Sequence, residues 1–360
     1  MVVKVQDTEI LRTRLTRDYG LLHPFVGAGM AFIAHEQLAA AVSNAGGLGV
    51  LGASPDPAES LPVMVERARA LTSEPIGVDL ICADTGFGPA STDEHIDVCL
   101  QLGVPLVVFH HDPPPARWVN ALHAAGGRVW MQASSKEIAE AAVDIGVDGI
   151  VAQGSEAGGH ARGRDRLHDL LPTIRREWPD MLVLGAGGIS DGSSAAAAIR
   201  AGADGVWVGT ALVAAEEANA HPEYKRRLIA SPGKTCRTDA FGPEWPDQLY
   251  RLLATEAVQT ATAKRRDSKP NTNRAIGHTQ LFPHSANISY DIPENSALPP
   301  TPETTGDWES MVYPAGQGVG AVRRTAPAAD IIGQMMTHAY EILATSQHLR
   351  PNVRLGHADS

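Results

Sequence analysis

Three parts of the 360-residue chain carry residues whose types and spacing could do chemistry. The first is Gln153-Gly-Ser-Glu-Ala-Gly-Gly-His160, a glycine-rich loop ending in a histidine. An imidazole ionises near neutrality, so His160 could act as a general base. Ala157-Gly-Gly leaves little bulk beside it, so a flat ligand could come close. The chain has 14 histidines, and a surface histidine in a loop is the competing reading. The second part is a pair of glycine turns, Ala186-Gly-Gly-Ile-Ser-Asp191 and Gly209-Thr210. Glycine lets backbone N–H groups approach an anion, and a helix opening near Ser190 would add the positive end of its dipole. Singly, each could be only a tight turn; together they favour a phosphate-bearing ligand. The third part is His110-His111-Asp112. Two histidines and an aspartate invite a metal, but neighbours at a strand end point in opposite directions, and no further histidine follows at helical spacing. We therefore expect no metal there, and expect His110 and His111 to supply a wall of a substrate pocket.

These residues need a frame that brings them to one place. From about Pro24 to Ala215 one theme repeats: a short apolar run, a glycine-bearing turn, then an alanine-rich amphipathic stretch. The expected strands are Pro24–Gly27, Gly49–Gly52, Ile76–Leu80, Leu106–Phe109, Arg128–Met131, Gly149–Ala152, Leu182–Gly185 and Gly205–Val208. Their near-continuous apolar character suits strands buried on both faces of a parallel sheet. Eight such units predict an α/β fold, a closed (β/α)8 TIM barrel, with an open doubly wound sheet as the alternative. Barrels place active sites at the carboxyl ends of their strands and hold phosphates after the seventh and eighth. His160 follows the sixth strand, and the two glycine turns follow the seventh and eighth.

After Ala215 the rhythm breaks. His221–Ser231 and Asp247–Thr262 read as helical, and Lys264–Pro302 is polar and rich in Asn, Pro, Ser and Thr. Tyr313-Pro-Ala-Gly-Gln-Gly-Val-Gly320 then reads as a segment returning to close contact, followed by a helix from about Ala326 to Ala344 and a frayed tail from Gln347. The expected organisation is a barrel over 1–215, a smaller, mostly helical second domain near the mouth over 216–310, and a return segment with a C-terminal helix over 311–360.

A formal net charge of −11 argues against a nucleic-acid partner, which would need a basic face. Cys82, Cys99 and Cys236 make neither a disulfide framework nor a zinc motif, which suits a reducing cytoplasm. No apolar run reaches the length of a membrane span, and the charged N-terminus does not read as a secretory signal.

Taken together, Gly29-Met-Ala31, Ala41-Val-Ser-Asn-Ala-Gly-Gly-Leu-Gly49, Gln153 to His160, Gly187-Gly-Ile189, Gly202-Ala-Asp-Gly-Val206 with Gly209-Thr210, and Ala315-Gly-Gln317 resemble the nitronate monooxygenases, formerly called 2-nitropropane dioxygenases. The resemblance implies a flavoprotein barrel that holds FMN. By the same resemblance, Gly29, Met30 and Ala31 would lie at the flavin ring, with Gln132 on its pyrimidine side. Gly187, Gly188, Gly209 and Thr210 would hold the phosphate, and Gly316 and Gln317 would return to the flavin. Gln153, Gly158 and Gly159 would shape the wall beside His160, the position of the family's catalytic base. Asp79 departs from the pattern, standing where many members carry an asparagine that bonds the flavin. A charged carboxylate there could not donate and would disfavour a reduced, anionic flavin. His110-His111-Asp112 replaces a smaller, glycine-bearing turn.

The implied activity is FMN-dependent oxidation of an alkyl nitronate, or of a neutral nitroalkane, by O2 to a carbonyl compound and nitrite. His160 would remove the α-proton of a nitroalkane or, as imidazolium, attract a nitronate. The alternatives are an NAD(P)H-dependent quinone or enoyl-thioester reductase on the same flavin barrel, and a non-catalytic FMN-binding protein. Pairing with a second copy of the chain is left open.

Overall fold

The computed structural model describes residues 9–86, 88–264 and 274–348. Eight parallel strands form its centre: β1 (Phe25–Gly27), β2 (Gly49–Gly52), β3 (Ile76–Cys82), β4 (Leu106–His111), β5 (Arg128–Ala133), β6 (Gly149–Gln153), β7 (Leu182–Ala186) and β8 (Gly205–Val208). All eight expected strands are present, and β3 to β7 run one or two residues further toward the mouth. The sheet order is β1-β8-β7-β6-β5-β4-β3-β2. A parallel bridge between Val26 and Leu48 joins its two edges, with Gly27 N donating to Leu48 O and Leu48 N to Phe25 O, each at 2.9 Å. The open-sheet alternative is therefore excluded.

Side-chain alternation along the strands separates two apolar layers. Val26, Leu48, Val50, Leu106, Val108, Trp130, Val151, Leu182, Leu184 and Trp207 pack together inside the barrel. Their neighbours, such as Phe25, Val107, Phe109, Met131, Ile150, Val183 and Val206, pack outward in the much larger cluster that includes the helices. Those helices open and close on local signals. Ser135 caps Lys136–Asp144 by accepting from Ile138 N, and Asp191 caps Gly192–Arg200 by accepting from Ser194 N at 2.8 Å. A short N-terminal helix, Arg14–Tyr19, brings Leu15 and Tyr19 against the inner layer at the end away from the mouth.

Beyond β8 the described residues contain two nine-residue helices, Pro222–Ala230 and Glu256–Lys264, and five short strands. The helix expected over Asp247–Thr262 is present only from Glu256, and its first part is a correction. Tyr250–Leu253 is a strand, paired antiparallel to Thr235–Thr238 on one side and to Gly159–His160 on the other. Tyr, Leu and Arg fit either state locally, and the two partner strands decide between them. Of the polar segment Lys264–Pro302, residues 265–273 lie outside the described ones. The rest forms a hairpin, Ala275–Leu281 with Ile288–Pro293, whose Leu281 and Phe282 pack with Leu298 on Phe32 at the barrel rim. The final helix, Ala328–His348, packs along Gly192–Arg200, and the tail beyond it lies outside the described residues. Among the described residues no helix is long and apolar enough to cross a membrane.

Trp130 has no exposed surface, and its indole Nε1 donates to Tyr19 Oη at 2.8 Å. Tyr19→Phe leaves that buried N–H without its partner, which costs about 1–3 kcal/mol. Chemical denaturation should show this loss with the mouth unaltered.

Candidate active site

One cavity opens at the carboxyl ends of the strands, and almost all the residues singled out above line it. Gly29, Met30 and Ala31 come from the loop after β1, and Asp79 from inside β3. His110 and Gln132 come from the ends of β4 and β5. Gln153, Gly158, Gly159 and His160 follow β6, Gly187 and Gly188 follow β7, Gly209 and Thr210 follow β8, and Gly316 belongs to the return segment. The two glycine turns and the histidine thus share one space, although they are distant in sequence.

Two candidates lie apart from the cavity lining. The side chain of Gln317 is exposed, while its amide donates to Glu156 O at 2.9 Å. His111 turns away from His110: its Nε2 is 3.1 Å from Gln248 Oε1 and its Nδ1 is 3.3 Å from Asp112 Oδ2. The strand-end alternation that spoke against a metal also separates these two rings.

The return segment is placed by contacts that tolerate no extra atom. Gly316 N donates to Thr210 Oγ1 at 2.9 Å. A Cβ added at Gly158 would lie 2.5 Å from Gly316 N, and one at Gly318 would lie 2.4 Å from Gly188 O. Thr210 accepts this bond, so its own hydroxyl hydrogen stays available to donate. Gly187 and Gly188 turn the chain with φ of 107° and 71°, left-handed values that glycine adopts without strain. Ser190, just before the helix Gly192–Arg200, lines the same end of the cavity.

His160 sits at the other end, on a two-residue strand paired with Tyr250. Its ring stacks on Tyr250 at 4.1 Å and 14°, with the Trp245 ring 4.3 Å away. Its Nε2 is buried without a hydrogen-bond partner. Burial, then the nearby His110 and His111, push its pKa down to about 3. His110 is likewise held at about 3, by burial first and then by His111 and Arg162, and its Nδ1 contacts Gln132 Nε2. Both imidazoles are neutral at physiological pH. No lysine or arginine lines the cavity among the described residues.

Trp245 and Tyr250 are site residues that the sequence reading missed. Its one signal was negative: Asp247–Thr262 was read as a helix, which hid the strand that carries Tyr250. Glu244 also lines the cavity, accepting from Tyr290 Oη at 3.1 Å, Ser296 Oγ at 2.5 Å and Ala297 N at 2.9 Å.

Asp79 resolves the departure noted above. It is buried, and a Cβ at Gly29 would lie 2.2 Å from its Cβ, so its side chain occupies the space that glycine leaves. Burial raises its pKa well above the ordinary carboxylate value, which favours the neutral acid, the form that can donate a hydrogen bond.

The sequence profile described as nitronate monooxygenase matches residues 12–338. The chain belongs to the nitronate monooxygenase family. It is similar to the nitronate monooxygenase of Paraburkholderia phytofirmans, at 29% identity over 359 residues, covering 88% of this chain and 92% of that one. Among solved structures, FabK from Thermotoga maritima superposes with a TM-score of 0.77 at 26% identity, covering 94% of this chain and 99% of that one. A nitroalkane oxidase from Streptomyces ansochromogenes superposes at 0.73 with 28% identity, covering 92% and 99%. The family oxidises nitronates with a flavin, and this chain is a flavin-dependent oxidoreductase. The residues present fit such a group. Apolar walls and neutral donors face a ring-sized space, glycine turns and a free hydroxyl suit an anion, and a buried imidazole nitrogen awaits a partner.

The sign of the Asp79 effect is open to direct measurement. A carboxyl whose pKa is higher when folded binds more protons in the native state, so the chain loses stability as pH rises from the unfolded value of about 3.9 toward the folded one. Asp79→Asn removes that loss. In flavin-free protein the variant's stability relative to the parent should climb with pH through this window, by up to about 1.4 kcal/mol per pH unit. A flat difference would show that Asp79 is ionised in the native state.

Proposed function

We propose that the cavity holds FMN and that the chain oxidises alkyl nitronates and nitroalkanes by O2 to carbonyl compounds and nitrite, with His160 as the base. The phosphate would rest on the turns at Gly187–Gly188 and Gly209–Thr210, closed by Gly316. The ring would meet Gly29, Met30, Ala31, Asp79 and Gln132, with Gln153, Gly158 and Gly159 forming the wall toward His160. When bound, the flavin supplies electron acceptance from the substrate and electron delivery to O2.

The observation that carries the reading is the buried, partnerless Nε2 of His160 in the cavity wall. Tyr250 and Trp245 fix the ring, so the nitrogen is pre-positioned rather than recruited from solvent. With its pKa near 3, the ring enters the reaction as a neutral base, and the imidazolium role expected for it before substrate binds finds no support. An α-proton taken by Nε2 would leave an imidazolium beside the new anion, and that pairing raises the ring's proton affinity as the reaction proceeds. His110 and Gln132, in contact with one another, would border the substrate on the β4 and β5 side.

His160→Ala should lower kcat/KM for a neutral nitroalkane about 10²- to 10⁴-fold, the usual contribution of a positioned base. Turnover of the preformed nitronate should fall less, and flavin content should hold. Unchanged nitroalkane turnover would remove His160 from the chemistry.

Anaerobic mixing separates the two flavin activities. The nitronate should bleach the flavin and NADH alone should not. Bleaching by NADH would replace this reading with a reductase, and a colourless protein that FMN fails to stabilise would remove the cofactor assignment.

A further inference from the structure

Outside the mouth, one buried cluster has the composition of a metal site. We propose that His35, Glu36 and His284, with Asp56 beside them, bind a divalent transition metal, with Zn²⁺ the best match, and that the metal clasps the 275–293 hairpin to the barrel rim. One ligand atom from each of the first three lies within 4.8 Å of the others. His284 Nε2 is 3.1 Å from Glu36 Oε2, and the His35 and His284 rings meet edge-on at 5.0 Å. The residues come from three separate pieces of chain. His35 and Glu36 open the helix Glu36–Asn44, Asp56 follows β2, and His284 sits in the hairpin turn.

The stronger sign is what these groups lack. Among the described residues, six buried side-chain polar atoms have no hydrogen-bond partner. Two of them belong to this trio, His35 Nε2 and His284 Nδ1, and two more are the carboxylate oxygens of Asp56, which interacts with His284 from outside the 4.8 Å set. A fifth is His160 Nε2, in the wall of the cavity that faces substrate. Asp56 is 1% exposed and His35 6% exposed, so water does not reach them freely. Buried polar groups are nearly always paired, and a partnerless buried carboxylate is among the costliest exceptions. The Glu36–His284 pair accounts for neither Asp56 nor His35. A cation held by the trio would take the free lone pairs of His35 and His284, and its charge would offset that of the buried Asp56 carboxylate beside it.

The donor set selects the ion. Two imidazoles with one or two carboxylates suit zinc, whereas magnesium and calcium favour oxygen ligands throughout. Zinc–ligand distances of about 2.0–2.2 Å draw the ligands closer than they stand now, by about an ångström. The ring and carboxylate torsions can supply that movement. Arg67 Nη1, 3.5 Å from Glu36 Oε1, is the competing cation, but its side chain is 61% exposed and free to swing out. The site would matter for the mouth. His284 lies two residues from Phe282, whose ring is 6.4 Å from that of Phe32, and Phe32 lines the cavity. Ser285, next to it, bonds Ser60 on the barrel at 2.7 Å.

The test uses the flavin-loaded enzyme, expressed with added Zn²⁺ and purified without a metal-chelate column. Elemental analysis should find about one zinc per chain. His35→Gln and His284→Gln should each lose it. His278→Gln, at an exposed histidine on the same hairpin, should keep it. Zinc absorption-edge spectroscopy on the parent enzyme, which needs no variant to fold, should read two imidazole ligands. Zinc missing from the parent, zinc retained in both ligand variants, or an edge spectrum without imidazole would each overturn the proposal. None of these outcomes depends on which substrate the flavin site accepts.

Discussion

A parallel sheet closed on itself has no free edge and a single rim where every strand ends, and the chemistry of this protein depends on that rim. Each strand is only three to seven residues long, yet its register fixes which side chains face inward. The bridge between Val26 and Leu48 is what converts eight strands into a ring. Without it, Gly29 to Ala31, which follow the strand paired with β8, would lie at the opposite sheet edge from β2 and from Asp79 on β3 rather than against them. The inner layer of Val, Leu and Trp residues fills the barrel below, so a ligand can enter only from the rim.

Closure also determines the electrostatics. Groups that a surface loop would leave in water are desolvated here, and the unpaired ones respond by losing charge. His110 and His160 are pushed to the neutral ring and Asp79 toward the neutral acid, all by burial first. The outcome is a wall in which three ionisable side chains are driven toward their uncharged forms, while the Glu244 carboxyl is taken up by three donors. A sequence cannot show this, because identity alone gives Asp79 a negative charge. The upward shift follows from burial, and the glycine at position 29 leaves the room in which that side chain packs.

The barrel was legible because its signals are local and repeat: apolar runs, a cap, a glycine stop. So was the meeting of the two glycine turns and His160 at one cavity, since each stands directly after a strand whose end could be counted. The parts that stayed hidden depend on pairings across long sequence distances. Tyr250–Leu253 looks helical until Gly159–His160 and Thr235–Thr238 are seen to flank it, and with it went Tyr250, the residue that orients His160. The hairpin over 275–293 was hidden in a polar composition, because its strands cover the rim with one apolar edge and face water with the other. His35 and His284 are 249 positions apart and follow no spacing that a metal motif would show.

The neutral wall bears on the form in which substrate is used. A nitronate carries a negative charge, and no lysine or arginine lines the cavity among the described residues to meet it. Asp79 is shifted toward its uncharged form, which lessens repulsion, and Glu244 is occupied by Tyr290, Ser296 and Ala297. An anion entering this space gives up its hydration for hydrogen bonds alone, which is unfavourable in a low dielectric. A neutral nitroalkane avoids that cost on entry, and in the proposed reaction its proton moves only to His160. The charge pair then forms inside the site, at short range and away from water, where Coulomb attraction is strongest. A depressed histidine pKa is therefore compatible with a base: the ring is poor at holding a proton alone and better at holding one beside the anion it has just made.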